Sequence, residues 1–249
     1  MRRASDLAAG NTNWSALINS STIIAGRECL LSEAESPELI LIQPLGNHER
    51  KDFHDEVERI RASSCVPFAM AGFQVLDWDL DLSPWHDPAI NRDPVVGSAS
   101  YDTLRFVTDN LLPTLNDQFG DLPVILGGYS LAGLFSLWAA TVCDRFPVIA
   151  AASPSLWIKD WGKYSLAHPT KANMVYLSLG DKEEHVRNQS ISKVGDAVRG
   201  EYALLRERLG EDNVTLVWEE GGHFTDNARR LASAFAWCLR HWLSICENS

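Results

Sequence analysis

The sequence predicts an α/β protein: a mostly parallel central sheet with helices on both faces. Short apolar runs rich in branched residues alternate with longer stretches of helical period, the pattern of a sheet covered by helices. The 249 residues, 45% of them apolar, are enough for one sizeable core. No repeat, low-complexity tract or linker interrupts the alternation, so residues 1–249 are read as one α/β domain.

In chain order, Thr22 to Ile24 and Glu28 to Leu31 suggest a leading antiparallel hairpin. Strands are expected at Leu39 to Ile42, Phe68 to Phe73, Val124 to Gly128, Val148 to Ser153, Met174 to Leu179 and Val214 to Trp218, each short enough to be a strand. Between them, Leu104, Val107, Leu111 and Leu115 recur at spacings of three and four and give a helix that Pro113 should kink. Leu131 to Val142 is apolar nearly all round and should be the central buried helix. Two further helices run through Val194, Val198, Tyr202, Leu205 and Leu209, and through Leu231, Phe235, Cys238 and Trp242, the latter begun by Thr225 or Asp226 as N-cap. The least regular region, Asp77 to Gly97, reads as a long loop near the active-site edge of the sheet.

The formal charge of −11 argues against nucleic acid and anionic membrane as partners. Met1-Arg2-Arg3 has no apolar stretch behind it, so no signal peptide is read and a cytoplasmic location is expected. Cys29, Cys65, Cys143, Cys238 and Cys246 never form a Cys-x-x-Cys pair, which predicts reduced, mostly buried thiols and no structural metal. Asp77-Trp78-Asp79-Leu80-Asp81 resembles a calcium loop only superficially, because Leu82 and Pro88 stand where glycine and glutamate are required.

Chemistry enters at Val124-Ile125-Leu126-Gly127-Gly128-Tyr129-Ser130-Leu131-Ala132-Gly133, a strand, tight turn and helix with serine at the apex. A serine hydroxyl becomes nucleophilic when a base lies within hydrogen-bond reach and a strained turn holds the oxygen clear of the backbone. Gly128 and Ala132 supply the small neighbours, alanine replacing the more usual glycine at plus two. The Leu131 N–H, at the start of the following helix, is positioned to donate to a developing oxyanion. The competing reading is a plain strand-to-helix turn capped by Ser130.

Of the seven histidines, His223 in Glu219-Glu220-Gly221-Gly222-His223-Phe224 follows the last strand and precedes the last helix, where a general base would be delivered. His48, His54, His86, His168, His185 and His241 lack that placement and read as solvated or structural. An acid is needed to fix the imidazole tautomer. The segment Gly180-Asp181-Lys182-Glu183-Glu184 offers Glu183 first, then Asp181, then Glu184. A second oxyanion donor is expected after the strand Leu39 to Ile42; Pro44 has no N–H, which leaves Leu45, with Gln43 as alternative. Trp78, Trp85, Trp157 and Phe224 follow strand ends and are candidate pocket walls, although tryptophans also serve simply to fill irregular loops.

On the elbow, Leu177-Ser178-Leu179-Gly180-Asp181-Lys182-Glu183-Glu184 and Gly221-Gly222-His223-Phe224, the chain resembles the Putative esterase family of the α/β-hydrolase superfamily, the one related to the siderophore (enterochelin) esterases. The likeness runs from about Leu39 to Leu243. It implies hydrolysis of a small-molecule carboxylic ester by a Ser-His pair with a less uniform acid, without cofactor or metal. A thioesterase or acyltransferase would use the same serine, and a non-catalytic scaffold would need neither Ser130 nor His223. Siderophore hydrolysis ranks lower, because the acidic chain offers no evident basic cluster for a polyanionic iron complex.

Overall fold

The computed structural model describes residues 19–47, 49–90 and 98–246. Among the described residues, eight strands form one sheet: β1 (Asn19–Ile24), β2 (Arg27–Ser32), β3 (Leu39–Leu45), β4 (Phe68–Gln74), β5 (Val124–Tyr129), β6 (Val148–Ala152), β7 (Met174–Gly180) and β8 (Val214–Glu219). Their order is β1-β2-β4-β3-β5-β6-β7-β8. The β1–β2 hairpin joins antiparallel, and every pairing from β4 to β8 is parallel. An α/β protein with a mostly parallel sheet is therefore what the sequence folds into.

The helices lie in two layers. On one face, α1 (Glu49–Ser63) and α8 (Asn227–Cys246) cover the sheet. α1 buries Phe53, Val57 and Ile60 at helical spacing, with Glu49 and Asp52 in its first turn and Arg61 in its last, a charge order that suits the helix dipole. On the opposite face lie α3 (Ser100–Phe106), α4 (Leu112–Phe119), α5 (Leu131–Val142), α6 (Trp161–Ala167) and α7 (Val194–Leu209). α5 is buried from Leu131 through Ala140, because it is packed between sheet and neighbouring helices.

Several expectations need refinement. Pro113 lies at the start of α4, and the irregularity is a π turn over Val107–Leu111, where the Leu112 N–H donates to the Val107 carbonyl. Proline cannot sustain a regular ladder, and a wide turn just before it absorbs the mismatch. The stretch from Asp77 contains a short helix, α2 (Trp78–Leu82), whose cap is the Asp77 carboxylate accepting from the Leu80 N–H at 3.0 Å; residues 91–97 of that stretch, like His48 and the N-terminal eighteen, lie outside the described residues. Asp226 takes the first position before α8, its carbonyl accepting from the Arg230 N–H at 3.1 Å, while the Thr225 hydroxyl turns back to the Gly222 N–H. Cys29 and Cys238 are buried free thiols, but Cys65, in the connection between α1 and β4, is exposed, and Cys143, just past the end of α5, is only half-buried. Among the described residues, no helix is long and apolar enough to cross a membrane.

The chain runs from β3 outward to β4, then returns to place β5 on the other side of β3. That reversal opens a crevice beyond the carboxyl ends of β3 and β5, the position where parallel α/β sheets bind ligands.

Candidate active site

Ser130 sits in that crevice between β5 and α5, with φ 59° and ψ −119°. A non-glycine residue holds such a backbone only when its surroundings impose it. Here the Ser130 N–H donates to the Ala152 carbonyl and its own carbonyl accepts from Ser155 and Leu134. Gly128 is required at the approach, since a Cβ there would stand 2.5 Å from that of Ala132. α5 opens at Leu131, so its first amides, lacking a carbonyl four residues back, border the serine.

His223 Nε2 lies 2.9 Å from Ser130 Oγ, and His223 Nδ1 lies 2.6 Å from Glu183 Oε2. The neutral tautomer that satisfies both bonds carries its proton on Nδ1 and accepts the Ser130 O–H on Nε2. Ser130, His223 and Glu183, from three separate segments, therefore meet in one hydrogen-bonded chain. The other two acids are occupied elsewhere. Asp181 Oδ1 accepts from the Gly221 N–H at 2.8 Å, and Glu184 pairs with Arg199 at 2.7 Å.

Glu183 is 3% exposed. Burial works against its charge, but the bond to His223, the charge of that ring, the Gly180 N–H and the Ser153 hydroxyl outweigh it and hold the carboxyl below its ordinary value. Oε1 accepts from Gly180 N–H and Ser153 Oγ, both at 2.8 Å, and from the Arg230 guanidinium at 3.0 Å. The turns carrying Glu183 and His223 are tied together by backbone bonds from Asp181 to Glu219 and from Lys182 to Gly221. The Tyr129 hydroxyl donates to the His223 carbonyl at 2.7 Å, so the residue preceding the serine also fixes the loop of the imidazole.

β3 is longer than expected and includes Leu45, whose carbonyl accepts from the Val75 N–H; the loop begins at Gly46. Gln43 is fully buried and directs its Nε2 to Glu56 at 3.0 Å, on the face toward α1. Trp78 packs over that loop: a Cβ on Gly46 would come within 3.1 Å of its ring. Trp85 behaves differently, donating Nε1–H to the Lys159 carbonyl at 3.0 Å and packing 5.0 Å from Tyr164, which makes it a fastener of the loop. Trp157 is half-buried against the core. Phe224 is 90% exposed with its ring edge-on to His223.

Four site residues escape sequence reasoning. Ser155 Oγ stands 3.2 Å from Ser130 Oγ, Ser153 and Arg230 donate to Glu183, and Tyr129 donates to the His223 carbonyl. Only Ser153-Pro154-Ser155, directly beyond a strand end, offers a signal in the sequence; Arg230 follows Arg229 with nothing to mark it.

The family model described as "Putative esterase" matches residues 46–208. Comparison with curated proteins gives no match. Among solved structures, the chain is similar to the siderophore hydrolase EstA from Aspergillus nidulans at 15% identity, covering 90% of this chain and 94% of that one with a TM-score of 0.69. It is similar to an IroE-like serine hydrolase from Shewanella oneidensis at 13% identity, covering 91% and 80% with a TM-score of 0.63. The enterobactin esterase FES from Shigella flexneri gives 14% identity, 92% and 60% coverage and a TM-score of 0.61. A parallel sheet of this order and a family match over more than half of its length place the chain in the Putative esterase family, as a carboxylic-ester hydrolase of the α/β-hydrolase fold.

Proposed function

We propose that the protein hydrolyses a small-molecule carboxylic ester through an acyl-enzyme on Ser130. The observation that carries this reading is the continuous chain Ser130–His223–Glu183, with distances of 2.9 and 2.6 Å. His223 Nε2 takes the Ser130 proton as Oγ attacks the ester carbonyl, and the Leu131 N–H stabilises the oxyanion; Leu45, the expected second donor, lies within the β3 ladder, so the second amide would come from the loop that begins at Gly46. The imidazolium then protonates the departing alkoxide. Water enters, gives its proton to the same nitrogen and releases the carboxylic acid, which restores Ser130. Glu183 keeps the ring oriented and stabilises its charged form throughout. Trp78, beside the Gly46 loop, and Phe224, beside His223, flank the approach to the serine.

A second reading, hydrolysis of a siderophore ester, is favoured by the names of neighbours such as EstA and FES and opposed by the charge of −11. Replacement of Ser130 by alanine should abolish turnover of a p-nitrophenyl acetate while leaving the circular dichroism spectrum unchanged; undiminished turnover refutes the assignment. A panel of short-chain esters, thioesters and an iron-free siderophore ester separates the substrate classes.

A further inference from the structure

Arg229 and Arg230 are neighbours with opposite fates. Arg229 lies near the surface and pairs with Glu219 and Asp226. Arg230 is 0% exposed, so its charge is retained where an apolar side chain would ordinarily be expected. Its Nη1 donates to Glu183 Oε1 at 3.0 Å and to the Tyr129 hydroxyl at 3.1 Å, and its Nη2 donates to the Glu220 carbonyl at 2.9 Å. One guanidinium thus touches the acid, the residue before the nucleophile and the loop that carries the base.

We propose that Arg230 is a positioning residue of the hydrolytic site, one that holds Glu183 through Oε1, leaves Oε2 to His223 and offsets the charge of the buried carboxylate. The proposal rests on the Ser130–His223–Glu183 reading given above. Glu183 divides its two oxygens unequally: three donors crowd Oε1, while among the described residues His223 is the partner of Oε2. A carboxylate with both oxygens free to turn would let the imidazole swing with it, and the Ser130 contact would loosen.

The charge has a separate effect. Without the guanidinium, the buried cluster around Glu183 carries an uncompensated negative charge and takes up a proton more readily. That uptake disables the hydrogen-bonded chain at the low end of the pH range, so loss of the Arg230 charge moves the acid limb of the activity profile upward. The other ionisable groups around the cluster do not supply that charge. Tyr129 approaches from β5 as a buried phenol whose burial raises its value, Asp181 is bonded to the Gly221 N–H, and Arg229 is engaged with Glu219 and Asp226.

The test is kcat/KM against pH on p-nitrophenyl acetate for the wild type, R230K, R230Q and R230M, each checked for folding by circular dichroism. The neutral variants should shift the acid limb up by about one pH unit or more, lose more activity at pH 6.5 than at pH 8.5 and do so in kcat with little change in KM. R230K, which keeps the charge and loses the fork, should restore the limb to the wild-type position at a reduced kcat. A folded neutral variant with an unmoved limb overturns the proposal, and so does a folded R230K with a displaced one, which decides the matter if neither neutral variant folds. Absence of wild-type turnover would instead overturn the serine-esterase reading on which it rests.

Discussion

Ser130, His223 and Glu183 form one hydrogen-bonded chain, and each distance in it has a cause in its own turn. The carboxylate presents Oε2 at 2.6 Å to the imidazole because Gly180, Ser153 and Arg230 hold the other oxygen. Replacing Glu183 by glutamine should keep the shape, permit the wrong tautomer and lower kcat by about 100-fold or more in a steady-state assay. Ser155 is a smaller contributor: its hydroxyl is 3.2 Å from the nucleophile, and Ser155→Ala should reduce kcat by about fivefold, the worth of one neutral hydrogen bond of ~1 kcal/mol. The nucleophile turn and His223 are legible in the sequence because glycines and strand ends mark them. The choice among Asp181, Glu183 and Glu184 is not, since it depends on which carboxylate the 180–185 turn directs inward. That turn points Glu183 into the protein and leaves Glu184 to Arg199.

At the scale of elements, the site is a joint between strand ends. β7 and β8 finish side by side, and the turns that follow them are bonded to each other through Asp181, Lys182, Glu219 and Gly221. Gly180 is the tightest point of that joint, because a Cβ there would lie 2.4 Å from the Gly221 carbonyl and 2.8 Å from Glu183 Oε1. Gly180→Ala should therefore cost about 2 kcal/mol in denaturant unfolding and depress kcat together with it, since the same movement displaces acid and base. Short apolar runs and the 3.6-residue period locate the eight strands and the helices through Leu104, Leu131, Val194 and Leu231, with ends displaced by up to four residues, but they give no helix at α1 (Glu49–Ser63) or α6 (Trp161–Ala167). Also hidden are the π turn before Pro113, where two ladders compromise, and α2, whose five residues are too few to show a period. The buried Arg230 is concealed for a related reason: which residue of an Arg-Arg pair faces the sheet is settled by the rotation of α8, not by its composition.

Across the whole molecule, two buried acids give stability opposite slopes with pH. Glu183 is held below its ordinary value, so its contribution is complete above about pH 4.5 and is lost as the pH falls through the folded value. Glu56, buried beneath α1 beside Gln43 and near Glu49 and Asp52, is pushed up to about 8 by burial first and by those like charges second. Its contribution is complete below the ordinary value of 4.5 and is lost as the pH rises through about 8. Glu56→Gln should therefore melt close to the wild type at pH 5 and above it at pH 8.5, and parallel melting curves would contradict the buried neutral acid. The sheet order, which no local pattern specifies, is what joins these distant segments: reversal beside β3 opens the crevice, and the ends of β5, β7 and β8 bring Ser130, Glu183 and His223 to its edge. The most direct test of this arrangement is mass spectrometry after exposure to a fluorophosphonate probe. One adduct is expected on the peptide containing Ser130, absent in Ser130→Ala and strongly slowed in His223→Ala; an unlabelled wild type, or an adduct mapped to another serine, would contradict the arrangement.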